Sequence, residues 1–309
     1  MRISTSTYYS AALAGIQEQQ ARIARLSQQV AENKAYLSPK DAPLSANRAM
    51  DLSSSIAQRK QYLSNQDKAE LSLKFESVQL SELNDTLGSA LSVLMSSSSG
   101  QDQNLRDQAA IQLSHFYKMA KDIGNARDAQ GNYIFAGHET ATKPFAHSAI
   151  YPGSLPVSAN ATTYSGDFGV RNLAVEFGRE VQSNDTLEDV FITQDLLGTM
   201  DYAAAALQDP SASAAAVDNA VAAAVSAINA AQDALQGIET RVAGRVLEIS
   251  DLRGSTRTLL STEEGTLAGL TEVDTAAAII ELQMRQTNLE ASQRTYALVS
   301  GLSLFNFIS

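Results

Sequence analysis

Three histidines, His115, His138 and His147, and no cysteine are what this 309-residue sequence offers for metal or nucleophilic chemistry. Without cysteine there is no thiolate ligand, no thiol nucleophile and no disulfide. His138-Glu139 followed by His147 matches no helical or loop ligand spacing, so these histidines read as surface or packing residues. Glu263-Glu264 offers two adjacent carboxylates, the material of a general acid and base. Neighbouring helix positions point about 100° apart, and a solvated helical face is the simpler reading. Asn160-Ala-Thr162 and Asn184-Asp-Thr186 match the glycosylation acceptor pattern, which is short enough to arise by chance. No glycine-rich phosphate loop or serine elbow occurs. An enzyme is not expected, and neither is a cofactor or a metal.

Composition excludes further classes. The formal net charge is -11, and every lysine lies at or before Lys143; phosphate neutralisation needs clustered basic residues, so no nucleic-acid partner is expected. Hydrophobic residues reach 44% but aromatics only 6%, which suits helices packed on helices. The first fifteen residues lack the apolar run of a cleaved signal. The alanine-rich run Ala214 to Ala231 is interrupted by Asp218, Asn219, Ser226 and Asn229, so no membrane insertion is expected.

The elements that must organise these residues are helical. From Tyr9, steps of three and four visit Ala12, Ile16, Gln19, Ile23, Leu26, Val30, Asn33 and Leu37, a heptad seam too polar for a strong isolated dimer. Ser38-Pro39 and Ala42-Pro43 stop it. Helical periodicity resumes through Leu52, Ile56, Leu63, Leu73, Leu80, Leu87, Leu91 and Leu94. After a serine-rich linker at 96 to 100, a helix from Leu105 to Ala126 presents Ala109, Gln112, Phe116, Ala120 and Ile123 on one face.

Between Gly131 and about Gln182 the texture changes to Gly, Pro and β-formers. Leu173, Val175 and Phe177 alternate, and Tyr151-Pro-Gly153, Ser165-Gly-Asp167 and Phe177-Gly-Arg179 supply turns. Asn184-Asp-Thr186 reads as the cap of a returning helix, which pauses at Asp209-Pro210. From Ile228 one unshifted frame runs through Ala231, Leu235, Ile238, Val242, Arg245, Ile249, Leu252 and Thr256, then Ala277, Ile280, Met284, Thr287, Ala291, Arg294, Leu298 and Phe305. A bend is expected at Glu263 to Gly269, where polar residues and two glycines dilute it.

The predicted fold is mainly α: a long α-helical coiled-coil or bundle rod formed by paired N- and C-terminal segments, with a small β-rich inserted domain. The expected domains are 1–43 with 268–309, a terminal coiled coil; 44–130 with 187–267, a helical rod; and 131–186, the insert.

Several local motifs narrow this. The opening Met1-Arg-Ile-Ser-Thr5, the break Leu37-Ser-Pro-Lys-Asp-Ala-Pro-Leu44, Gly131-Asn-Tyr-Ile-Phe-Ala-Gly137 followed by Lys143-Pro-Phe145, Tyr164-Ser-Gly-Asp167, and Thr271-Glu-Val-Asp274 through Leu302-Ser-Leu-Phe305 resemble the flagellin superfamily, in its hook-associated type 3 branch. The family turn usually carries paired acids where this chain has Lys40 and Asp41. The ending at Ser309 resembles that branch more than flagellin.

The resemblance implies a structural, non-enzymatic subunit of the bacterial flagellum, an adaptor ring at the hook-filament junction. Its implied partners are copies of itself, an upstream hook-associated protein of type 1, flagellin and an export chaperone. It would leave the cell by type III export without a cleaved signal and lie outside the cell. The assembly interface is expected at Ile16, Ile23, Leu26 and Val30, at Ile280, Met284 and Leu298, and in the terminal cluster Leu302, Leu304, Phe305 and Phe307. The resemblance places chaperone binding at Leu289, Leu298, Leu302 and Phe305. The alternatives are a filament-forming flagellin, or a secreted coiled-coil effector or adhesin whose insert binds a ligand.

Overall fold

A computed structural model of the protein describes residues 5–97, 100–146 and 162–308, with side chains described from Thr7 to Val299 apart from Tyr8. The elements are α1 (Thr5–Glu32), α2 (Pro43–Ser96), α3 (Gln103–Gly124), β1 (Phe145–Ala146), β2 (Thr163–Tyr164), β3 (Asn172–Glu176), β4 (Arg179–Gln182), α4 (Glu188–Phe191), α5 (Leu196–Gln208), α6 (Ala214–Thr271) and α7 (Thr275–Ile308). The architecture is mainly α with a small β-rich segment. Two compact units form, Met1–Lys60 with Thr258–Ser309 and Gln61–Arg257.

The larger unit is built on a heptad. Along α2, Gln66, Ala69, Leu73, Glu76, Leu80, Leu83, Leu87, Ala90 and Leu94 recur at steps of three and four and all are buried. On α6 the frame read from the sequence holds: Ile228, Ala231, Leu235, Ile238, Val242, Ile249 and Thr256 are buried. The two helices run antiparallel, with Gln232 donating to Asn84 at 3.2 Å and Arg253 pairing with Glu70. By length and composition alone the helix starting at Ala214 could cross a membrane, with mean hydropathy 1.3 in its most apolar window. Here Val217, Ala220, Ala224 and Ala231 are buried in the protein itself.

α3 packs on α5 beside this pair. Its buried face is Ala109, Ala110, Leu113, Tyr117, Ala120 and Ile123. The face expected at Gln112 and Phe116 is therefore rotated by one position: Leu113 and Tyr117 add more apolar area to the core than Gln112 and Phe116 would.

Among the described residues the β-rich segment holds two antiparallel pairs, β1 with β2 and β3 with β4. Val175 is fully buried, but Phe177 is 85% exposed and does not continue its face. A register shift between Ala174 and Glu176 and the end of the strand at Glu176 turn Phe177 outward into the hairpin. Gly178 supplies the left-handed residue of that turn, with φ 71°. Asn184-Asp-Thr186 is not the helix cap expected, because α4 starts at Glu188 behind Leu187. Asn184 is buried, accepts from the Arg171 N–H at 2.6 Å and donates to the Gly169 carbonyl at 3.1 Å. Such a side chain is no glycosylation acceptor. Tyr151-Pro-Gly153, His147 and Asn160 lie outside the described residues.

Candidate assembly interface

Tyr9, Ala12, Ile16, Gln19, Ile23, Leu26 and Val30 are each half-buried on α1, and almost every other described residue of that helix is exposed. The seam is therefore where the sequence puts it, up to Val30. It does not continue to Asn33 and Leu37. Asn33 adopts the left-handed conformation, φ 52°. The Lys34 N–H bonds the Gln29 carbonyl at 2.9 Å and the Asn33 N–H bonds that of Val30 at 3.3 Å. These two bonds close the helix as a Schellman motif.

The proline-bounded break that follows is a single 3-10 turn, Pro39–Asp41. Its one acid is used twice. Asp41 accepts from the Ser38 N–H at 3.1 Å and pairs with Arg25 of α1 at 2.6 Å. The Arg25 hydrogen bond, foremost, holds the Asp41 carboxyl below its ordinary range. Between α1 and the turn, the Ala35 N–H donates to the Thr271 carbonyl at 2.8 Å, tying the end of α1 to the end of α6.

α1 and α7 pair antiparallel. At one end the Tyr9 and Tyr296 rings meet edge to face, 5.9 Å apart, and the Tyr9 hydroxyl donates to the Val299 carbonyl at 3.3 Å. Further along, Gly15, Ile16 and Gln19 face Ala291 and Ser292 across a shallow groove. Apart from Ile16 and Tyr296 the groove is lined by small or polar residues, so little apolar area is buried along it. The Gln19 side-chain oxygen is buried without a hydrogen-bond partner, a deficit most buried polar atoms avoid.

α7 corrects the single-frame expectation. The bend does not fall at Glu263 to Gly269, because α6 is helical to Thr271. The break lies at 272–274, where the Asp274 side chain accepts from the Ala277 N–H at 3.0 Å and starts a new helix. A helical glycine costs only about 1 kcal/mol against alanine, too little to break α6 when its neighbours favour helix. An aspartate cap after three non-helical residues resets the phase instead. The less exposed positions of α7 are Ala278, Glu281, Leu282, Arg285, Leu289, Tyr296 and Val299. Ile280, Met284 and Leu298 lie off that stripe, 65%, 57% and 70% exposed.

The expected site residues thus divide into two faces. Ile16, Ile23, Leu26, Val30 and Leu289 are half-buried, and Ile280, Met284 and Leu298 are presented to solvent. Leu302, Leu304, Phe305 and Phe307 fall on the last turns of α7, where side chains lie outside the described residues. Sequence reading missed Leu282, Tyr296 and Val299; the signal for them was the Asp274 cap, from which α7 should have been phased afresh. Ala277, Ile280, Met284 and Asn288 line a second shallow depression on α7.

Glu263 and Glu264 are not a merely solvated face. Glu263 accepts from Arg59 at 2.8 Å and from the Ser55 hydroxyl at 3.2 Å, and Glu264 pairs with Lys60 at 2.8 Å. They tie α6 to α2 within the terminal unit.

The motif residues of the insert are scaffold. Phe135 and Phe145 are fully buried, and Phe145 packs on Phe191 at 4.6 Å and on Tyr164 at 5.2 Å. The Tyr164 hydroxyl lies 3.0 Å from the Phe135 carbonyl and 2.6 Å from that of Asp167. Burial, with nearby Asp167 and Glu188, pushes that phenol up to about 12. Asp167 accepts from the N–H groups of His138 and Gly169, and His138 lies against it at 3.4 Å. Those backbone N–H bonds, the one from His138 foremost, hold the Asp167 carboxyl below its ordinary range.

No family model matches the chain. Flagellar hook-associated protein 3 of Escherichia coli (strain K12) is 28% identical over 315 residues, which span 99% of this chain and 99% of that protein. The protein of the same name from Salmonella typhimurium is 27% identical over 321 residues, again 99% of each. The solved flagellar junction protein of Legionella pneumophila superposes with a TM-score of 0.56 at 13% identity, covering 72% of this chain and 99% of that one. Paired terminal helices, a long antiparallel helix pair and a small β-rich segment make this the fold of the flagellar hook-associated and junction proteins. Within that class the sequence is similar from end to end to hook-associated protein 3.

Proposed function

We propose that this protein is a structural subunit of the bacterial flagellum, an adaptor at the hook-filament junction that assembles as a ring between a hook-associated protein of type 1 and flagellin. The observation that carries this reading is the incomplete terminal pair. None of the described side chains of α1 is buried, and among those of α7 only Ala278 is. Ordering a residue costs about 1 to 2 kcal/mol, and half-buried seams recover little of that at about 25 cal/mol per Å². Neighbouring copies supply the missing surface on Ile280, Met284 and Leu298, and a donor for Gln19. The end-to-end likeness to hook-associated protein 3 supports the same role.

On this reading the domains are 1–43 with 268–309 on the inside of the ring, 44–130 with 187–267 around it, and 131–186 facing outward. Export proceeds through the flagellar type III channel, with a chaperone covering Leu289, Leu298, Leu302 and Phe305 beforehand. The test is complementation of a bacterium lacking its own hook-associated protein 3. Restored filaments, with this chain confined to one short band at the hook, support the adaptor. Incorporation along the whole filament favours the flagellin alternative, and secretion without any flagellar incorporation favours an effector or adhesin.

A further inference from the structure

Glu76 and Arg245 stand at core positions of the two antiparallel seams, Glu76 between Leu73 and Leu80 on α2 and Arg245 between Val242 and Ile249 on α6. Charged residues rarely occupy such positions without a partner. The partner comes from a third element: Asp185, on the segment that leaves β4 and leads to α4. Glu76 is 3% and Asp185 6% exposed. The Asp185 N–H donates to Glu76 at 3.0 Å, Arg245 pairs with the Asp185 carboxylate, and a second Arg245 nitrogen donates to the Gln182 carbonyl at 3.3 Å. One residue row away, the Ser72 hydroxyl donates to the Ser183 carbonyl at 3.0 Å.

The charges do not balance. Two carboxyl groups meet one guanidinium, and Lys74, the next basic residue along α2, is paired with Glu70 at 2.7 Å. With both acids ionised the buried cluster is left with one negative charge, which a low-dielectric core penalises. Holding one proton between them makes it neutral. Burial, and then the neighbouring Asp185 charge, raise the Glu76 carboxyl to about 8, against the opposing pull of Arg245.

We propose that Glu76, Asp185 and Arg245 form a proton-held clasp that fastens the 182–187 segment, the way out of the β-rich insert, to α2 and α6, and that loss of its single proton loosens that segment. The sign follows from linkage. A carboxyl that holds its proton more tightly when buried stabilises the closed form most at low pH. That contribution falls as pH rises from the ordinary glutamate range through the raised value, by up to about tenfold in closing equilibrium per pH unit, and then levels off. The clasp is therefore tight in mildly acidic solution and weakest in alkaline solution.

The test is hydrogen exchange of the full chain from pH 5.5 to 9, corrected for the intrinsic pH dependence of exchange. Peptides covering 182–187 are compared with peptides from Leu80 to Leu94. In the natural sequence, protection at 182–187 falls with pH by up to tenfold per unit below about 8. Glu76→Gln retains hydrogen-bonding capacity without a titrating group, so its profile is flat. Asp185→Asn lets Glu76 ionise against Arg245, and the slope shrinks there too. An unchanged slope in Glu76→Gln, or no slope in the natural sequence, overturns the proposal. Should Glu76→Gln fail to fold, the natural sequence and Asp185→Asn decide by the same readout.

Discussion

Tyr9 of α1 and Tyr296 of α7 stand edge to face, 5.9 Å between ring centres and 85° between planes, 287 residues apart in the chain. This contact, with the bond from the Tyr9 hydroxyl to the Val299 carbonyl, pins the open end of a helix pair whose seam is otherwise half-buried. Replacing Tyr9 by Ala removes a pair worth about 0.5 to 1.5 kcal/mol beyond its area. Limited proteolysis of Tyr9→Ala should release the α1 end faster than the natural sequence, with the Gln61–Arg257 unit digesting at an unchanged rate.

The cap that restarts α7 offers a second point of control. Asp274→Ala removes the acceptor for the Ala277 N–H and should cost about 1 kcal/mol. Hydrogen exchange in the first turns of α7 reads this directly. Asp274→Asn or Asp274→Ser, which also cap, should recover most of the protection.

Gly137 has no room for a side chain. Its φ is 70°, and a Cβ would sit 2.0 Å from an Asp167 carboxylate oxygen and 2.2 Å from the Asp167 carbonyl. Gly137→Ala must push the Tyr164 to Gly169 loop away, at a cost of about 1 to 3 kcal/mol. Loss of near-ultraviolet signal from Tyr164 and a lowered Tm of the insert are the expected result.

The turn at Pro39–Asp41 responds to acid. The Asp41 carboxyl is held below its ordinary range chiefly by Arg25, so its contribution is present above the unfolded carboxylate range and is lost as pH falls through the lowered value. Protection of the Ser38 amide should fall on acidification. Arg25→Gln should move that fall to higher pH.

Much of this was legible in the sequence, because a heptad is a repeated signal and errors in single residues average out. The α6 frame from Ile228 to Thr256 and the α1 stripe from Tyr9 to Val30 came directly from their apolar steps. What failed were single backbone events. Asn33 could equally be a polar seam residue or a left-handed helix stop, and only the hydrogen bonds from Lys34 and Asn33 decide. Gly265 and Gly269 looked like a break, yet the helix runs through both, and a side chain at either would meet open space. Asp274, three residues beyond the end of α6, re-phased α7 and carried Ile280, Met284 and Leu298 to the outer side. Glu76 went unnoticed because its partner Asp185 is 109 residues away, a distance no local pattern reports.

The account rests most on the outer face of α7 being used by neighbours in the flagellum. Because the chain has no cysteine of its own, Met284→Cys reports that face alone, with Ala278→Cys as the buried control. Thiol labelling should be fast at 284 and slow at 278 in the free protein, and position 284 should become protected when the chain is built into hook-filament junctions. Labelling at 284 that stays as fast in the assembled structure as in the free chain would contradict the account.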